Sequence, residues 1–276
     1  MTNQREVTDE HSRDSAGLTY IYSVVSRRAG GVSIGINLNP NRACNWHCIY
    51  CQVPGLTRGS APAIDLALLE QELRGFIDTF LRGAAHRIVD IAFSGNGEST
   101  SAKEFPDAVA LAGRVMREMK LDASVKLRLI TNGSLVAQRR VQAGLRRLGE
   151  LDGEVWFKVD AGSADGYRRI NGVELSPQTV ARNLRRCSAL CTTWVQTCLF
   201  ALDGQGPTET EVDAYLDLLM QAGIENLKGI HLYGLARTPM QQEANRLSRL
   251  PDKKIAAVAD RLQALRVPGL TVRVSP

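Results

Sequence analysis

One stretch decides the fold and the chemistry of this chain: Arg42-Ala43-Cys44-Asn45-Trp46-His47-Cys48-Ile49-Tyr50-Cys51. It contains Cys44, Cys48 and Cys51 in a C-x3-C-x2-C spacing. Three thiolates so close together can bind three irons of a cubane [4Fe–4S] cluster, which normally has four cysteine ligands. The fourth iron would then lack a protein ligand, and an open coordination position distinguishes catalytic from structural metal sites. The loop is therefore typical of a reactive site.

A structural zinc site and simple packing are the two other interpretations of these cysteines. Zinc needs a fourth ligand, and the only nearby one is His47, directly beside Cys48, where two adjacent side chains rarely reach one tetrahedral ion. No second C-x2–4-C/H pair follows, although zinc knuckles usually have one. The spacing therefore favours a cluster over zinc. The remaining cysteines are predicted to pack as small hydrophobic residues; they are Cys187, Cys191 and Cys198.

The composition of the 276 residues is that of a soluble globular protein, with 44% apolar and 23% charged residues. Apolar runs such as Ile88–Phe93 are far shorter than the ~20 residues that cross a bilayer, which predicts no membrane association. The first 17 residues contain no apolar segment of a signal peptide. We therefore expect residues 1–18 to be a disordered tail, residues 19–276 to form the domain, and the cysteines to stay reduced in the cytoplasm.

A modest positive charge leaves a polyanionic partner open. The formal net charge is +5, which suits nucleic-acid binding but also suits an ordinary basic surface. Adjacent arginines on predicted helices are also explained without a nucleic acid, because they can form the solvated face of the helix. Such arginine pairs occur at Arg27-Arg28, Arg139-Arg140, Arg146-Arg147, Arg168-Arg169 and Arg185-Arg186.

Short apolar runs alternate with amphipathic stretches from residue 32 onward. The predicted strands are Val32–Leu38, Ile88–Ser94, Val125–Thr131, Glu154–Asp160, Trp194–Leu202 and Leu227–Tyr233, with a short seventh at Leu270–Val274. The predicted helices are Leu66–Leu81, Pro106–Lys120, Leu135–Leu148, Gln178–Leu190 after the Ser176-Pro177 cap, a helix from a Thr208–Glu211 capping box to Met220 that Gly223 ends, and Asp252–Leu265. Six β-then-α units predict an α/β fold with a parallel sheet. Because eight units close a barrel, six predict a partial (β/α)6 barrel, a curled sheet with outer helices.

In such sheets the chemistry gathers at the carboxyl ends of the strands. The cluster loop follows the first strand, and Gly95-Asn96-Gly97-Glu98 follows the second. Glycines let backbone carbonyls approach a ligand closely. Together with the Glu98 carboxylate, these carbonyls would form an acceptor-rich pocket suited to an ammonium group. An ordinary turn is the alternative for this short motif alone.

Polar residues also follow the later strands. Thr131 and Asn132 end the third strand and are candidates for contacting a cofactor or substrate, although Asn-Gly is also a common turn. Lys158 and Asp160 on the fourth strand have the same parity and so face the same way. A charged pair inside the sheet has either a functional role or a structural one. Further candidates are Gln196 on strand five and, around the end of strand six, His231, Tyr233 and Arg237.

The C-x3-C-x2-C loop with its Tyr50-Cys51 ending resembles the radical S-adenosylmethionine (radical SAM) superfamily. Within it, the segments Ser23–Arg28, Ser33–Leu38, Cys44–Gln52, Thr131–Gly133 and Lys158–Gly162 resemble bacterial proteins grouped with the tRNA wyosine-base synthases. The true wyosine synthases carry a second cluster on cysteines upstream of the radical motif, whereas this chain has no cysteine before Cys44. Resemblance to this branch therefore does not identify the reaction of this chain.

The resemblance implies a set of cofactors and residue roles. Cys44, Cys48 and Cys51 would hold a [4Fe–4S] cluster, and S-adenosylmethionine would chelate its fourth iron. The cofactor-binding residues implied by the resemblance are Tyr50, Gly95, Asn96, Gly97 and Glu98. From their positions at the strand ends, Thr131, Asn132 and Gln196 are further cofactor-binding candidates, and the candidate catalytic pair is Lys158 and Asp160. An electron from a flavodoxin- or ferredoxin-type donor would cleave S-adenosylmethionine to a 5′-deoxyadenosyl radical, which would abstract hydrogen from a substrate that the sequence does not identify. A tRNA base and a small molecule are both candidates. The alternative from another class is a non-catalytic zinc- or cluster-binding protein, such as an RNA-binding module.

Overall fold

A nine-stranded, mostly parallel sheet lies at the centre of the computed structural model, which describes residues 17–26, 31–83, 87–235 and 237–275. The strands in this part of the chain are β1 (Ile21–Ser26), β2 (Gly31–Ile36), β3 (Ala43–Cys44), β4 (Thr57–Arg58), β5 (Arg87–Phe93), β6 (Lys126–Thr131), β7 (Glu154–Lys158), β8 (Thr192–Leu202), β9 (Gly229–Gly234), β10 (Leu247–Arg249) and β11 (Thr271–Ser275). The helices are α1 (Leu66–Arg82), α2 (Phe105–Glu118), α3 (Arg139–Glu150), α4 (Ala164–Gly166), α5 (Pro177–Ser188), α6 (Glu209–Ala222) and α7 (Asp252–Ala264). Short helical turns lie at Ser99–Ser101, Tyr167–Asn171, Ile224–Asn226 and Gln242–Arg246.

The order of the strands confirms the predicted fold class. The sheet runs β1-β2-β5-β6-β7-β8-β9-β11, and every neighbouring pair from β2 to β11 is parallel. Its two ends, β1 and β11, are different strands, so the curled sheet matches a partial (β/α)6 barrel with outer helices. All six predicted parallel strands are present, and the short seventh strand joins them as β11.

Two antiparallel additions were not predicted. β1 pairs with β2 from Ile21↔Ile36 to Ser26↔Gly31, and β10 pairs with the far end of β8. Glu72 on α1 fixes the start of β1, because its buried carboxylate accepts hydrogen bonds from the backbone N–H groups of Thr19 (2.7 Å) and Tyr20 (2.8 Å). A carboxylate on a helix carries no periodic signal for this role, so the sequence pattern could not reveal it.

Two predicted helix caps are present, whereas the start of one helix and the end of one strand differ from the prediction. The Ser176 hydroxyl accepts from Thr179 N, and Thr208 and Glu211 form a reciprocal capping box, with left-handed Gly223 at the end of α6. Both caps are thereby confirmed. The helix predicted over Leu135–Leu148 begins only at Arg139, because residues 134–138 form turns first. The fourth predicted strand ends at Lys158 and not at Asp160.

The core lies between the sheet and the outer helices. Side chains that face the helices from the strands are fully buried, and this burial supplies most of the stabilisation of such a layered fold. Examples are Ile34, Ile36, Ile91, Phe93, Leu129, Val155, Phe157, Val195 and Ile230. No helix within the described ranges has both the length and the apolar character to cross a bilayer. Residues 1–16 of the predicted disordered tail, and the Arg27-Arg28 pair, lie outside the described residues.

Candidate functional site

The loop after β2 carries the three cysteines and is braced by a small ladder of its own. Cys44 lies in β3, which pairs in parallel with β4, and the backbone N–H of Gly59 donates to the Cys44 carbonyl at 3.1 Å. Cys44, Cys48 and Cys51 are all half-buried and all line one cavity of about 480 Å³. The sequence-predicted cysteines are therefore brought together at the carboxyl ends of the parallel strands.

We call residues Gly95–Glu98 the glycine support, because the cluster loop lies directly against it. A Cβ on Gly97 would stand 2.1 Å from the Ala43 carbonyl oxygen, and Gly95 has a φ of +129° with Asn37 Oδ1 in the space of its Cβ. Asn37 Oδ1 accepts from Asn96 N at 3.1 Å. The glycines thus accommodate the loop after β2, and Gly95 and Gly97 also border the cavity. Their contact with a ligand stays a prediction.

The Glu98 carboxylate ties two strand ends together. Oε1 accepts from Thr100 N (3.1 Å), Thr100 Oγ1 (2.5 Å) and Thr131 Oγ1 (2.6 Å), while Oε2 accepts from Asn132 N (2.7 Å). Burial raises the pKa of Glu98 above its ordinary value, although these four donors oppose the rise. Glu98 is 3% exposed yet borders the cavity. Most of its hydrogen-bonding capacity is thus used by the protein.

Asn132 extends this network to the cluster loop. Its Nδ2 donates to Asn45 Oδ1 at 2.9 Å, and Ser134 accepts from Asn45 Nδ2 at 2.7 Å while donating to Asn132 Oδ1. Thr131 and Asn132 both border the cavity, whereas Asn96 does not. The third strand end therefore lies where the sequence predicted it, beside the cysteines.

The segment Tyr167–Asn171, which we call the asparagine support, holds the other part of the cluster loop. His47 N donates to the Asn171 carbonyl (3.0 Å), and Ile49 N donates to the Ile170 carbonyl (2.9 Å). Fully buried Asn171 also donates from Nδ2 to the Cys48 sulfur at 3.2 Å. This support was not predicted from the sequence. Its signals, an Asn-Gly pair and a short helical turn, are shared by many ordinary loops.

Asp160 is the hub behind the cavity wall. Its Oδ2 accepts from Tyr50 Oη (2.5 Å) and Asn171 Nδ2 (3.0 Å), and its Oδ1 accepts from Cys198 N (3.2 Å) and lies 3.2 Å from Lys158 Nζ. The predicted same-facing charged pair is therefore present. The Asp160 side chain has no exposed surface and is absent from the cavity lining, whereas Lys158 lines the cavity.

Lys158 keeps its proton in this environment. Burial alone would lower its pKa, but the facing Asp160 carboxylate, followed by Tyr233 and Cys198, raises the pKa above the ordinary value. Nζ donates to Tyr233 Oη and lies 4.9 Å from the centres of the Tyr50 and Tyr233 rings. Gln196, aligned with Lys158 across β7 and β8, also lines the cavity.

Burial disfavours the thiolate form of two cluster-loop cysteines when no positive charge is near. It raises the pKa of Cys44 to about 12, against hydrogen bonds to the sulfur from the backbone N–H groups of Trp46 and Glu98. Burial, with the Asp160 charge, raises the pKa of Cys48 well above its ordinary value, against the Asn171 hydrogen bond. Such thiols are suited to a ligand that brings its own positive charge, because metal binding displaces the proton.

The donor set fits a cluster better than a single ion. No three His, Cys, Asp or Glu side chains in the described part of the chain are arranged to hold one metal ion, so the zinc interpretation gains no support. A cubane is wider than a single ion and takes its thiolates from further apart. Three cysteines that border one cavity match that requirement.

The inner face of the sheet holds charges that sequence reasoning missed. Arg128 pairs with Asp90 and, at 3.1 Å, with Glu154, and its guanidinium lies 4.9 Å from the Trp156 ring centre. Equal parity along neighbouring strands was the available signal. Of the cysteines predicted to pack, Cys187 and Cys191 are buried away from this cavity, while buried Cys198 borders it.

Comparison with known proteins gives a consistent result. Residues 38–219 match the Radical SAM superfamily. Among curated proteins, the chain is 27% identical over 148 residues to GTPase Obg of Brachyspira hyodysenteriae and 28% identical over 158 residues to a UPF0026 protein of Helicobacter pylori. These alignments cover 54% and 56% of this chain but only 20% and 46% of the relatives. The chain thus spans less than half the length of the curated relatives that it matches.

Solved structures share the fold at low sequence identity. A radical SAM methyltransferase from Sphaerobacter thermophilus has a TM-score of 0.62 at 17% identity, covering 91% of this chain and 68% of that one. Spore photoproduct lyase has a TM-score of 0.61 at 12% identity, covering 92% and 79%. Streptococcus suis SuiB, solved with S-adenosylmethionine, has a TM-score of 0.60 at 8% identity, covering 88% and 50%. Since the family match covers well over half of the chain and includes the cysteine loop, the chain belongs to the radical SAM superfamily.

Proposed function

We propose that residues 19–276 form a radical SAM enzyme of the reducing cytoplasm, with a [4Fe–4S] cluster and S-adenosylmethionine as cofactors. The observation that carries this proposal is the single cavity bordered by all three loop cysteines, Glu98 and Lys158 at the carboxyl ends of the strands. When bound, the cofactors supply, after one-electron reduction and C5′–S cleavage, a 5′-deoxyadenosyl radical that abstracts a hydrogen atom from the substrate. The electron would come from a flavodoxin- or ferredoxin-type donor.

The residues of this chain then bind and orient. Cys44, Cys48 and Cys51 hold the cluster. The backbone around Gly95, Asn96 and Gly97, with Glu98 Oε2, would bind the methionine ammonium, since Oε2 accepts only one protein hydrogen bond, from Asn132, among the described residues. Thr131 and Asn132 keep that carboxylate in place.

The opposite wall would bind the nucleoside end and the substrate. Tyr50 and Gln196 border the cavity and would contact the adenosine part. Lys158, which keeps its proton, would place a positive charge against the reacting groups. Asp160, predicted as a catalytic partner, lies behind the wall, so we assign it the task of positioning Lys158 and Tyr50.

Anaerobic reconstitution tests the proposal. The protein is loaded with iron and sulfide, reduced with dithionite in the presence of S-adenosylmethionine, and assayed for 5′-deoxyadenosine. About four irons per chain and 5′-deoxyadenosine that depends on the protein would support the enzyme. A colourless protein with one zinc, or a cluster that never cleaves S-adenosylmethionine, would support the non-catalytic binding protein and overturn the proposal.

The branch within the superfamily is a separate proposal. The resemblance of Ser33–Leu38, Cys44–Gln52 and Lys158–Gly162 to the bacterial proteins grouped with wyosine-base synthases supports it. The sequence has no cysteine upstream of Cys44 for a second cluster, so we do not extend the wyosine reaction to this chain. Iron quantification tests this point, because a second cluster would double the iron content.

For the substrate class we propose an RNA, supported by where the positive charge lies. Helix α3 carries four arginines and one glutamate, and α5 carries three arginines and no carboxylate. Together they hold a formal +6, against +5 for the entire chain. These helices are consecutive crossovers, from β6 to β7 and from β7 to β8. Their exposed arginines make no ion pair in the described ranges; they are Arg139, Arg146, Arg147, Arg182, Arg185 and Arg186.

Salt dependence distinguishes RNA from a small molecule or peptide. Binding of a total tRNA preparation should weaken steeply as salt rises, by about 0.7–0.9 in log affinity per log salt for each phosphate contact. Replacing four exposed arginines with alanine should flatten the slope; these are Arg146, Arg147, Arg185 and Arg186. A matched control removes four arginines that are paired with carboxylates elsewhere, namely Arg74, Arg82, Arg114 and Arg261. Equal slopes in both variants, or no tRNA binding, would contradict the RNA proposal.

A further inference from the structure

Asn171 is a buried side chain whose arrangement stability alone does not explain. Its Nδ2 lies 3.2 Å from the Cys48 sulfur and 3.0 Å from Asp160 Oδ2. Both neighbours are acceptors, so the NH2 end of the amide must face them. Its carbonyl oxygen Oδ1 is then buried with no hydrogen-bond partner among the described residues. An unsatisfied buried oxygen is destabilising, and a leucine of similar volume would avoid it.

From this arrangement we propose that Asn171 is a positioning residue that raises the reduction potential of the cluster. The inference rests on the proposed function only in that Cys48 is a cluster ligand. Reduction adds one negative charge, which is spread over the cluster and its sulfur ligands. An N–H group that donates to a ligand sulfur stabilises the more negative, reduced state, and hydrogen bonds to the sulfurs are among the factors that set cluster potentials.

The neighbouring carboxylate makes this hydrogen bond more significant. Asp160 carries a negative charge on the far side of the Asn171 amide, and that charge opposes reduction of a cluster held by Cys48. The amide nitrogen donates to both the sulfur and the carboxylate. Lys158 and the Tyr50 hydroxyl also bind Asp160 and offset its charge. Asn171 is the member of this group that contacts the sulfur directly.

The experiment measures the cluster midpoint potential by EPR-monitored redox titration of reconstituted protein without S-adenosylmethionine. Asn171→Leu removes the donor at similar volume, and Asn171→Ser removes most of the reach without adding bulk. Each variant is compared with wild type at the potential where the wild-type cluster is half reduced. At that potential we expect the ratio of reduced to oxidised cluster in either variant to be about tenfold lower than in wild type. For a one-electron couple this equals a midpoint about 59 mV lower. Asn171→Gln keeps the amide and should return the midpoint towards the wild-type value.

Asn183 provides the matched control. It is buried and donates from Nδ2 to the Gly133 carbonyl at 3.1 Å, with no cysteine sulfur as partner. Asn183→Leu should lower thermal stability without moving the midpoint. Deuterium ENDOR after exchange into D2O supplies a direct readout: the cluster should lose one exchangeable coupling in Asn171→Leu and Asn171→Ser but not in Asn183→Leu.

A wild-type midpoint and an unchanged set of deuterium couplings in a loaded Asn171→Leu or Asn171→Ser protein would overturn the inference. If Asn171→Leu does not load iron, Asn171→Ser decides. If neither loads iron while wild type and Asn171→Gln do, the side chain is needed for assembly and the tuning role is rejected. Failure of the proposed function is a different result, because it would appear as absence of a cluster, or of S-adenosylmethionine cleavage, in the wild-type protein.

Discussion

The glycine support and the asparagine support hold the same loop by different means. In the glycine support, the missing side chain of Gly97 allows backbone to meet backbone, and the Cys44 sulfur receives hydrogen bonds from backbone N–H groups, those of Trp46 and, within this support, Glu98. In the asparagine support, a buried side chain does the work, and the Cys48 sulfur receives its hydrogen bond from Asn171. A backbone donor survives substitution of its residue, whereas a side-chain donor does not. The two cysteines therefore differ in how easily their environment is altered by substitution.

The largest effect is expected from substituting a cysteine of the cluster loop, which both supports hold. Cys48→Ala should abolish iron–sulfur loading and 5′-deoxyadenosine formation, because a three-cysteine site with one ligand missing cannot hold the cluster. Iron content and the ultraviolet–visible spectrum after reconstitution check this. Cys187→Ala, at a buried cysteine away from the cavity, should keep both properties. Retained turnover in Cys48→Ala would contradict the cluster assignment.

The asparagine support should be destabilised most by substitution of Asp160, which accepts a hydrogen bond from Asn171. Asp160→Asn would leave Lys158 as a buried charge without its carboxylate and would replace one acceptor oxygen by a donor, so we expect a loss of about 3–5 kcal/mol in the free energy of unfolding. Urea denaturation of the metal-free protein measures it. Asp152→Asn, at the 86%-exposed carboxylate paired with Lys126, should cost at most about 1 kcal/mol. Similar losses in both variants would mean that the buried pair has no special weight.

The glycine support should be disrupted by a steric clash when Gly97 is given a side chain. Gly97→Ala places a methyl 2.1 Å from the Ala43 carbonyl oxygen, and since both sides are backbone, neither can move without displacing a loop. We expect about 1–3 kcal/mol lower stability and clearly reduced iron loading. Gly75→Ala in α1, where a Cβ meets nothing within 4 Å, should be neutral or stabilising by up to about 1 kcal/mol. Normal iron loading in Gly97→Ala would show that the loops can separate without harm.

The smallest expected effect on iron loading concerns the link between the asparagine support and the cavity wall. Tyr50→Phe removes the hydroxyl that donates to Asp160 while keeping the ring in place, and we expect a loss of about 1.5–3 kcal/mol, typical of a hydrogen bond to a charged group. Iron loading should persist. Tyr215→Phe, which removes a hydroxyl bonded to neutral Thr197, should cost less, near 1 kcal/mol. Equal losses would mean that the charge on Asp160 does not strengthen its bond to Tyr50.

The same contrast explains what the sequence could and could not predict. Strand and helix periodicity, caps and the cysteine spacing are local patterns, so the six parallel strands, the Thr208 capping box and the cluster loop were all predictable. The Gly95–Glu98 motif was predictable in place, although its glycines turn out to accommodate Asn37 and Ala43.

Interactions between distant residues left no such pattern. Glu72 binding the start of β1, Arg128 between Asp90 and Glu154, and Asn171 beside Cys48 each depend on a partner far along the chain. Strand parity could have indicated which face of the sheet Arg128 occupies, but nothing in the local sequence identifies the distant partners of these polar residues. Asp160 was predicted as half of a charged pair, but its withdrawal behind the cavity wall depends on Tyr50 and Asn171, which come from other loops.

The carbonyl of Cys51 has a consequence for the timing of biogenesis. It accepts hydrogen bonds from Met240 N (2.8 Å) and Gln241 Nε2 (3.2 Å), nearly two hundred residues later in the chain. The ribosome must therefore synthesise most of the polypeptide before the last hydrogen bonds that brace the cysteine loop can form. Metal delivery to this loop is expected to follow synthesis rather than accompany it, and a truncated or arrested nascent chain would present its cysteines without their full set of contacts.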